Sequence, residues 1–337
     1  MTKSRRSLQR LVNHWYTRSP WLLLLTPLSL VYRVIIRLRR SLYRLGIFSS
    51  SRLPVPVIVI GNLAVGGTGK TPLVAWLAVY LQGKGFRPGI VARGYGGQAR
   101  HWPQQARPDS DPVMVGDEAV LLAGKTGCPM AVGPDRIAAA RALLEHSDCN
   151  LILSDDGMQH YAMQRDIEIA VIDGIRRLGN GFCLPAGPLR EPARRLADVD
   201  LVVVNGLGNH GEYPMKMRTT TAYALKDDTG PRELRAFRHQ PVHAIAGIGN
   251  PERFFAALRQ ASLSLTEHPF PDHHAFVAED IEFGAGHAVI MTEKDAVKCR
   301  DFAVDNCWYA PVTISMPPEF ETRLDQLLAA EKSPGTL

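Results

Sequence analysis

The chain has 337 residues, 45% of them hydrophobic and 21% charged, which is enough apolar material for two domains and too much for a disordered protein. Its net charge of +6 hides a split: the first 108 residues carry 17 Lys and Arg and no Asp or Glu, while the rest carry 22 basic and 33 acidic groups. That split argues against a general nucleic-acid binder and turns one end of the chain toward an anionic surface, and five cysteines without a C-x-x-C argue against a disulfide framework or a zinc site and fit a reducing compartment.

The first predicted element is helical. Residues 21–36 read WLLLLTPLSLVYRVII, an apolar run that reaches Arg33 after about a dozen residues, short of the ~20 that cross a bilayer unaided. Arg5, Arg6, Arg10 and Arg18 precede it, Arg33, Arg37, Arg39, Arg40 and Arg44 follow it, and Trp15, Tyr16, Trp21 and Tyr32 stand near its ends. Basic residues continue past the run and no A-x-A-like site follows, so the segment reads as an attached membrane-embedded or interfacial helix rather than a cleaved signal. The competing reading is a buried amphipathic helix of a soluble domain.

Next comes VIVIGNLAVGGTGKTPLVAWLAVYLQ, residues 57–82. Val57 to Ile60 predict a buried parallel strand, and Leu73, Leu77 and Leu81 predict one face of an apolar helix. Between them lies a phosphate cradle: Ala64, Val65, Gly66, Gly67, Thr68 and Gly69 form the loop, Lys70 reaches the outer phosphates, and Thr71 offers a hydroxyl to Mg²⁺. The pattern G-x-x-x-x-G-K-[ST] departs at its first glycine, which is Ala64 here. On its own the motif indicates a phosphate-bearing nucleotide and no more.

Further strands are predicted within 89–97, 130–133, 151–157, 167–174, 201–206, 243–249 and 288–295, with helices over 118–124, 136–146 and 251–261. This alternation predicts an α/β fold: a P-loop NTPase-like, mostly parallel sheet with a second, smaller α/β domain and an N-terminal membrane-associated helix. The expected division is 1–48 for the basic helical segment, 49–205 for the catalytic domain and 206–337 for the smaller domain, with a final segment able to return to the catalytic domain.

Asp155 and Asp156 follow the strand LILS, where P-loop proteins hold Mg²⁺ or its water shell; a helix cap is the other reading. Asp117 and Glu118 open a helix, so they are either capping charges or a base and a second metal contact. Asp272-His273-His274 is a polar loop cluster without zinc-type spacing. Arg136 after VGPD and Arg190 in LPAGPLREP can each meet a phosphate or form a surface ion pair.

Taken in order, GNLAVGGTGKTP, ARGYGG, VGDEA, VGPDR, LSDDGMQH, LPAGPLREP, GIGNPERFF, FPDHHAF and MTEKD resemble the tetraacyldisaccharide 4′-kinases, the lipid A 4′-kinases of Gram-negative bacteria. The resemblance implies transfer of the γ-phosphoryl group of ATP, with Mg²⁺, to the 4′-hydroxyl of tetraacyldisaccharide 1-phosphate at the cytoplasmic face of the inner membrane. It implies Asp117 as the base and His273 as its support, Lys70, Arg136 and Arg190 on phosphate, and Thr71, Glu118, Asp155 and Asp156 around the metal; it leaves Lys294 without a role. The implied partners are the lipid substrate and an anionic membrane surface, with no nucleic acid and no obligate protein partner. Two rival readings remain, a P-loop GTPase or metallochaperone-type switch and a non-enzymatic membrane scaffold. The switch lacks its N-K-x-D guanine motif, to which MTEKD is the nearest stretch.

Overall fold

A computed structural model describes residues 14–16, 20–226, 230–284 and 286–332; Arg5, Arg6, Arg10 and Arg18 lie outside the described residues. A short 3-10 helix, Pro20–Leu25, runs into α1, Thr26–Arg44. The chain then alternates strand and helix: β1 Val57–Gly61, α2 Lys70–Gly83, β2 Pro88–Ala92, β3 Gln104–Ala106, α3 Asp117–Thr126, β4 Met130–Val132, α4 Arg136–His146, β5 Leu151–Ser154, β6 Ile167–Asp173, β7 Leu201–Asn205 and β8 Tyr213–Arg218, of which β3 and β8 add to the predicted strands. It continues with β9 Thr221–Ala224, β10 Arg232–Glu233, β11 Pro241–Ala246, α5 Pro251–Gln260, β12 Ser264–Pro269, β13 Ala288–Thr292, α6 Glu293–Cys299, β14 Cys307–Ala310, β15 Thr313–Ser315 and α7 Pro318–Lys332.

Among the described residues these strands make two sheets. The first has the order β15-β8-β7-β6-β1-β5-β2-β4-β3, parallel except for β3 and β15 at its edges. The second has the order β10-β9-β14-β13-β11-β12, parallel from β14 to β12. β1 is buried at every position and sends alternate side chains to opposite faces: Ile58 and Ile60 meet α2, while Val57 and Val59 meet the side that carries α4. Helices cover both faces of the second sheet as well, with Phe254 and Leu258 of α5 on one side and Ala296 and Cys299 of α6 on the other.

The division of the chain differs from the expected one. The boundary at 205/206 falls between β7 and β8, two paired strands of the first sheet. As the expected division allowed, the last strand and helix return there: β15 pairs with β8, the Phe320 ring of α7 lies 5.9 Å from that of Trp76 in α2, and the Tyr80 hydroxyl of α2 donates to Asp325 (3.1 Å). The second lobe is therefore 221–310, set into the first. The sequence hid this because YPMKMR at 213–218 buries only Met215, so it reads as polar linker rather than strand.

α1 lies on the first lobe along its length. The Ser29 hydroxyl donates to the Cys183 carbonyl (2.7 Å), the Tyr32 hydroxyl to the Arg190 carbonyl (3.1 Å), and Arg40 pairs with Asp198 (2.8 Å). Its other side leaves Leu28, Val31, Val34, Ile35 and Leu38 more than half exposed. By length and composition the helical stretch 20–44 is sufficient to cross a membrane.

Candidate active site

β1 lies between β5 and β6, so the loop after β1 and the acids after β5 emerge side by side at the carboxyl edge of the sheet. The phosphate loop is braced from within. Asn62, fully buried, donates through Nδ2 to the Ala64 carbonyl (2.6 Å) and the Gly66 carbonyl (3.3 Å). Asn205 at the end of β7 donates to the Thr68 carbonyl (3.1 Å). Gly66 and Gly69 take φ of 109° and 98°, the conformation that favours glycine. Ala64 takes no such conformation. It forms a bridge with Leu189, while the Val65 N–H donates to the Pro188 carbonyl (2.9 Å) and the Arg190 N–H to the Leu63 carbonyl (2.6 Å). The departure at Ala64 is thus explained: this stretch pairs like a strand with the LPAGPLREP loop. Ala64 sits behind the wall of the cleft, whereas Val65 to Thr71 line it.

The carboxylates after β5 divide their work by burial. Asp156 (φ 50°) is gripped by Arg190, whose Nη1 lies 3.0 Å from both carboxylate oxygens, and by Lys70 at 3.5 Å, while Arg136 donates to its carbonyl (2.8 Å). Burial would raise the Asp156 pKa, but the Lys70 and Arg190 charges outweigh it and hold the carboxyl below its ordinary value. Burial raises Asp155 to about 7, reinforced by the nearby Glu118 charge and opposed by Lys70. Its Oδ1 is buried with no hydrogen-bond partner among the described residues. An uncompensated carboxylate beside a phosphate loop is where a divalent cation relieves the desolvation cost. Glu118 and Thr71 line the same cleft. No group of three or more His, Cys, Asp or Glu gathers into a metal cage among the described residues.

Across the cleft stands the second acidic pair. Gly116 (φ 95°) precedes α3, and a Cβ there would meet the Tyr95 carbonyl at 2.7 Å, so the ARGYGG loop packs directly on the start of this helix. Asp117 is 5% exposed and lies just behind the wall formed by Gly116, Glu118 and His273. Its Oδ1 accepts the Glu118 N–H (2.9 Å); its Oδ2 lies 3.1 Å from His273 Nδ1, 3.7 Å from Lys298 Nζ and 4.0 Å from Lys294 Nζ. Burial would raise its pKa, but the His273 hydrogen bond and the two lysines lower it. The same bond raises His273 against its own burial. His273 takes φ 58°, and its ring lies tilted against that of Tyr95 with centroids 5.1 Å apart. His274 faces elsewhere: its Nε2 lies 2.8 Å from Asp280 and its ring packs between Phe270 and Phe276.

Lys294 joins the lobes. It lies 3.1 Å from Glu118, 3.2 Å from Asp272 and 3.5 Å from His273 Nε2. Burial disfavours its charge, yet Glu118, Asp117 and Asp272 together push its pKa above the ordinary value. Arg253 to Asp173 (3.1 Å) and Lys125 to Glu293 (2.8 Å) are further pairs across the junction. The open cleft between the lobes measures about 1520 Å³. Lys70, Asp155, Asp156, Arg136 and Arg190 line it from the first lobe, His273 and Lys294 from the second, and Tyr32, Ile36 and Arg39 of α1 close one end.

Sequence reasoning missed Asn62, Asn205, Lys298 and Asp295. Lys298 carried a signal, since it lies four residues after Lys294 and so on the same face of a helix; the two asparagines carried none.

The sequence model described as tetraacyldisaccharide-1-P 4′-kinase matches residues 21–329. A tetraacyldisaccharide 4′-kinase of Nitrosococcus oceani is 56% identical over 324 residues, covering 96% of each chain. One of Methylobacillus flagellatus is 49% identical over 330 residues, covering 95% of this chain and 97% of the other. A crystal structure of LpxK from Aquifex aeolicus in complex with ATP superposes with a TM-score of 0.78 at 26% identity, covering 92% of this chain and 99% of that one.

Proposed function

The chain belongs to the tetraacyldisaccharide-1-P 4′-kinase family, and on that premise we infer how its residues divide the reaction. It is an ATP-dependent kinase of lipid A biosynthesis that phosphorylates the 4′-hydroxyl of tetraacyldisaccharide 1-phosphate. The observation that carries the reading is a single cleft lined by the Lys70 phosphate loop, by His273, which holds Asp117 just behind the wall, and by residues of the apolar helix α1.

Lys70 and the loop N–H groups hold the outer phosphates, and Arg136 and Arg190 neutralise charge on the transferred group. Thr71, Asp155 and Glu118 would hold Mg²⁺, which would supply further charge neutralisation. Asp156 keeps Lys70 and Arg190 in place rather than meeting the metal. Asp117 accepts the proton of the sugar hydroxyl, and its lowered pKa keeps it ionised and ready. His273 holds the carboxylate from the second lobe. With labelled ATP, Mg²⁺ and the lipid disaccharide, label is expected at the 4′ position; label elsewhere or none would sink the reading.

The pair gives a pH signature. The His273 bond lowers Asp117, so His273→Ala lets the Asp117 pKa rise, and the acid limb of the rate profile is expected to move to higher pH. An unmoved limb counts against the pairing. The GTPase alternative is not favoured: Asp295 of MTEKD is fully buried and accepts from the Gly247 N–H (2.9 Å) and Thr292 hydroxyl (2.6 Å), so it is not free to read a guanine.

α1 is bonded lengthwise to the first lobe, which favours a helix lying in the cytoplasmic membrane interface over one that crosses it. Its exposed leucines and valines meet the acyl region, and Arg33 and Arg37 meet lipid phosphates at about 1 kcal/mol each. Full-length protein is expected to sediment with anionic vesicles at low salt, and Leu28→Asp with Ile35→Asp to release it. A wild-type chain that stays in the supernatant would overturn this placement.

A further inference from the structure

α6 sends two lysines toward Asp117, and the one that does not line the cleft has the more elaborate support. Lys298 Nζ lies 3.1 Å from Asp295 Oδ1, donates to the His274 carbonyl (3.1 Å), lies 3.7 Å from Asp117 Oδ2 and sits 5.0 Å from the centre of the Phe276 ring. Asp295 is fully buried, and its other oxygen takes the Gly247 N–H (2.9 Å) and the Thr292 hydroxyl (2.6 Å). The contact with Gly247 is close enough that a Cβ there would lie 2.9 Å from Asp295 Oδ1. Two residues on, Gly249 faces the phosphate loop: a Cβ on it would lie 3.9 Å from the Gly67 nitrogen and 3.3 Å from Asp272 Oδ2. One buried carboxylate therefore holds both the backbone that abuts the phosphate loop and the lysine that abuts Asp117.

We propose that Lys298 is a positioning residue for Asp117, anchored by Asp295, so that the base and the loop facing the nucleotide are set by the same helix. The proposal rests on the reading of Asp117 as the base. His273 reaches Asp117 from a loop in a left-handed turn, whereas Lys298 reaches it from a helix whose first turn is capped by Thr292 through the Asp295 N–H (3.2 Å). The helix is the stiffer support, and misplacement of a reacting group by about 1 Å costs on the order of a hundredfold in rate. Losing Lys298 leaves Asp117 Oδ1 on the Glu118 N–H, but leaves Oδ2 with only the loop contact from His273 and the 4.0 Å approach of Lys294.

The test is a double-mutant cycle on the full chain in detergent, with ATP and tetraacyldisaccharide 1-phosphate. Lys298→Met is expected to lower kcat about tenfold while the KM for ATP moves less than about twofold, and Lys298→Arg to recover most of the loss. In an Asp117→Asn background, Lys298→Met is expected to lower kcat no further, because it acts through the group already removed. Unchanged kcat in Lys298→Met, or the same fold-loss in both backgrounds, overturns the proposal. If Lys298→Met does not fold, Lys298→Gln, which keeps a donor for the His274 carbonyl without the charge, takes its place in the cycle and is judged by the same outcomes. A fully active Asp117→Asn would instead sink the base assignment itself, so the two failures are distinguishable.

Discussion

Lys70→Ala is expected to remove nearly all turnover, a loss on the order of 10²–10³ in kcat/KM or more, as for removal of a preorganised group that meets transition-state charge. The structure says why the loss is chemical and not a failure to fold. Lys70 meets Asp156 at 3.5 Å, but Asp156 keeps two 3.0 Å contacts from Arg190, so the carboxylate is not stranded. Asp155 is the group that suffers. The Lys70 charge is the main one opposing its upward shift, so without it the carboxyl holds its proton more tightly and presents less charge to a cation. The variant is therefore expected to need more Mg²⁺ as well as to turn over slowly, while its far-UV circular dichroism and Tm stay near wild type. A folded Lys70→Ala within threefold of wild-type activity would refute the assignment of this loop.

Asp117→Ala has the second largest expected effect and a different signature. A positioned general base contributes about 10²–10⁴ in rate, so kcat is expected to fall by that order while ATP binding, read by equilibrium titration, changes little. Loss of a buried carboxylate can be ruinous when it strands cations, but here each partner has another. Lys298 keeps Asp295 and the His274 carbonyl, and Lys294 keeps Glu118 and Asp272. Full activity of the purified variant on tetraacyldisaccharide 1-phosphate would rule Asp117 out, and a parallel loss of kcat and ATP affinity would mark it as structural.

The parallel strands around β1 were legible because strands buried on both faces read as unbroken apolar runs. Most of those missed were short, polar or at edges: β3, β10 and β15 have three residues or fewer, and β8 buries a single side chain, whereas β14 (CWYA) is a four-residue strand inside the second sheet. The site was legible as pieces. Asp117 and Glu118, or Asp155 and Asp156, are adjacent and chemically alike, and no sequence pattern says which is ion-paired and which is left bare. For Asp155 and Asp156 that is decided by which side chain Arg190 and Lys70 can reach and by how deeply the other is buried; for Asp117 and Glu118 it is decided by His273 and Lys294, which reach one each from the second lobe. His273 and His274 pose the same problem, solved by a turn that points one ring at Asp117 and the other at Asp280.

The return of β15 and α7 to the first sheet has a consequence for how the protein is made. Trp76 and Tyr80 of α2 are synthesised early, yet the Phe320 ring and the Asp325 carboxylate that meet them come last. Throughout translation of the second lobe the nascent first lobe presents an open apolar surface, while the exposed side of α1 presents another. The ribosome thus releases a chain whose earliest lobe is the last to close, and which has two greasy faces to keep apart until then. Truncation before residue 318 cannot yield a minimal kinase core, because it leaves that surface permanently uncovered.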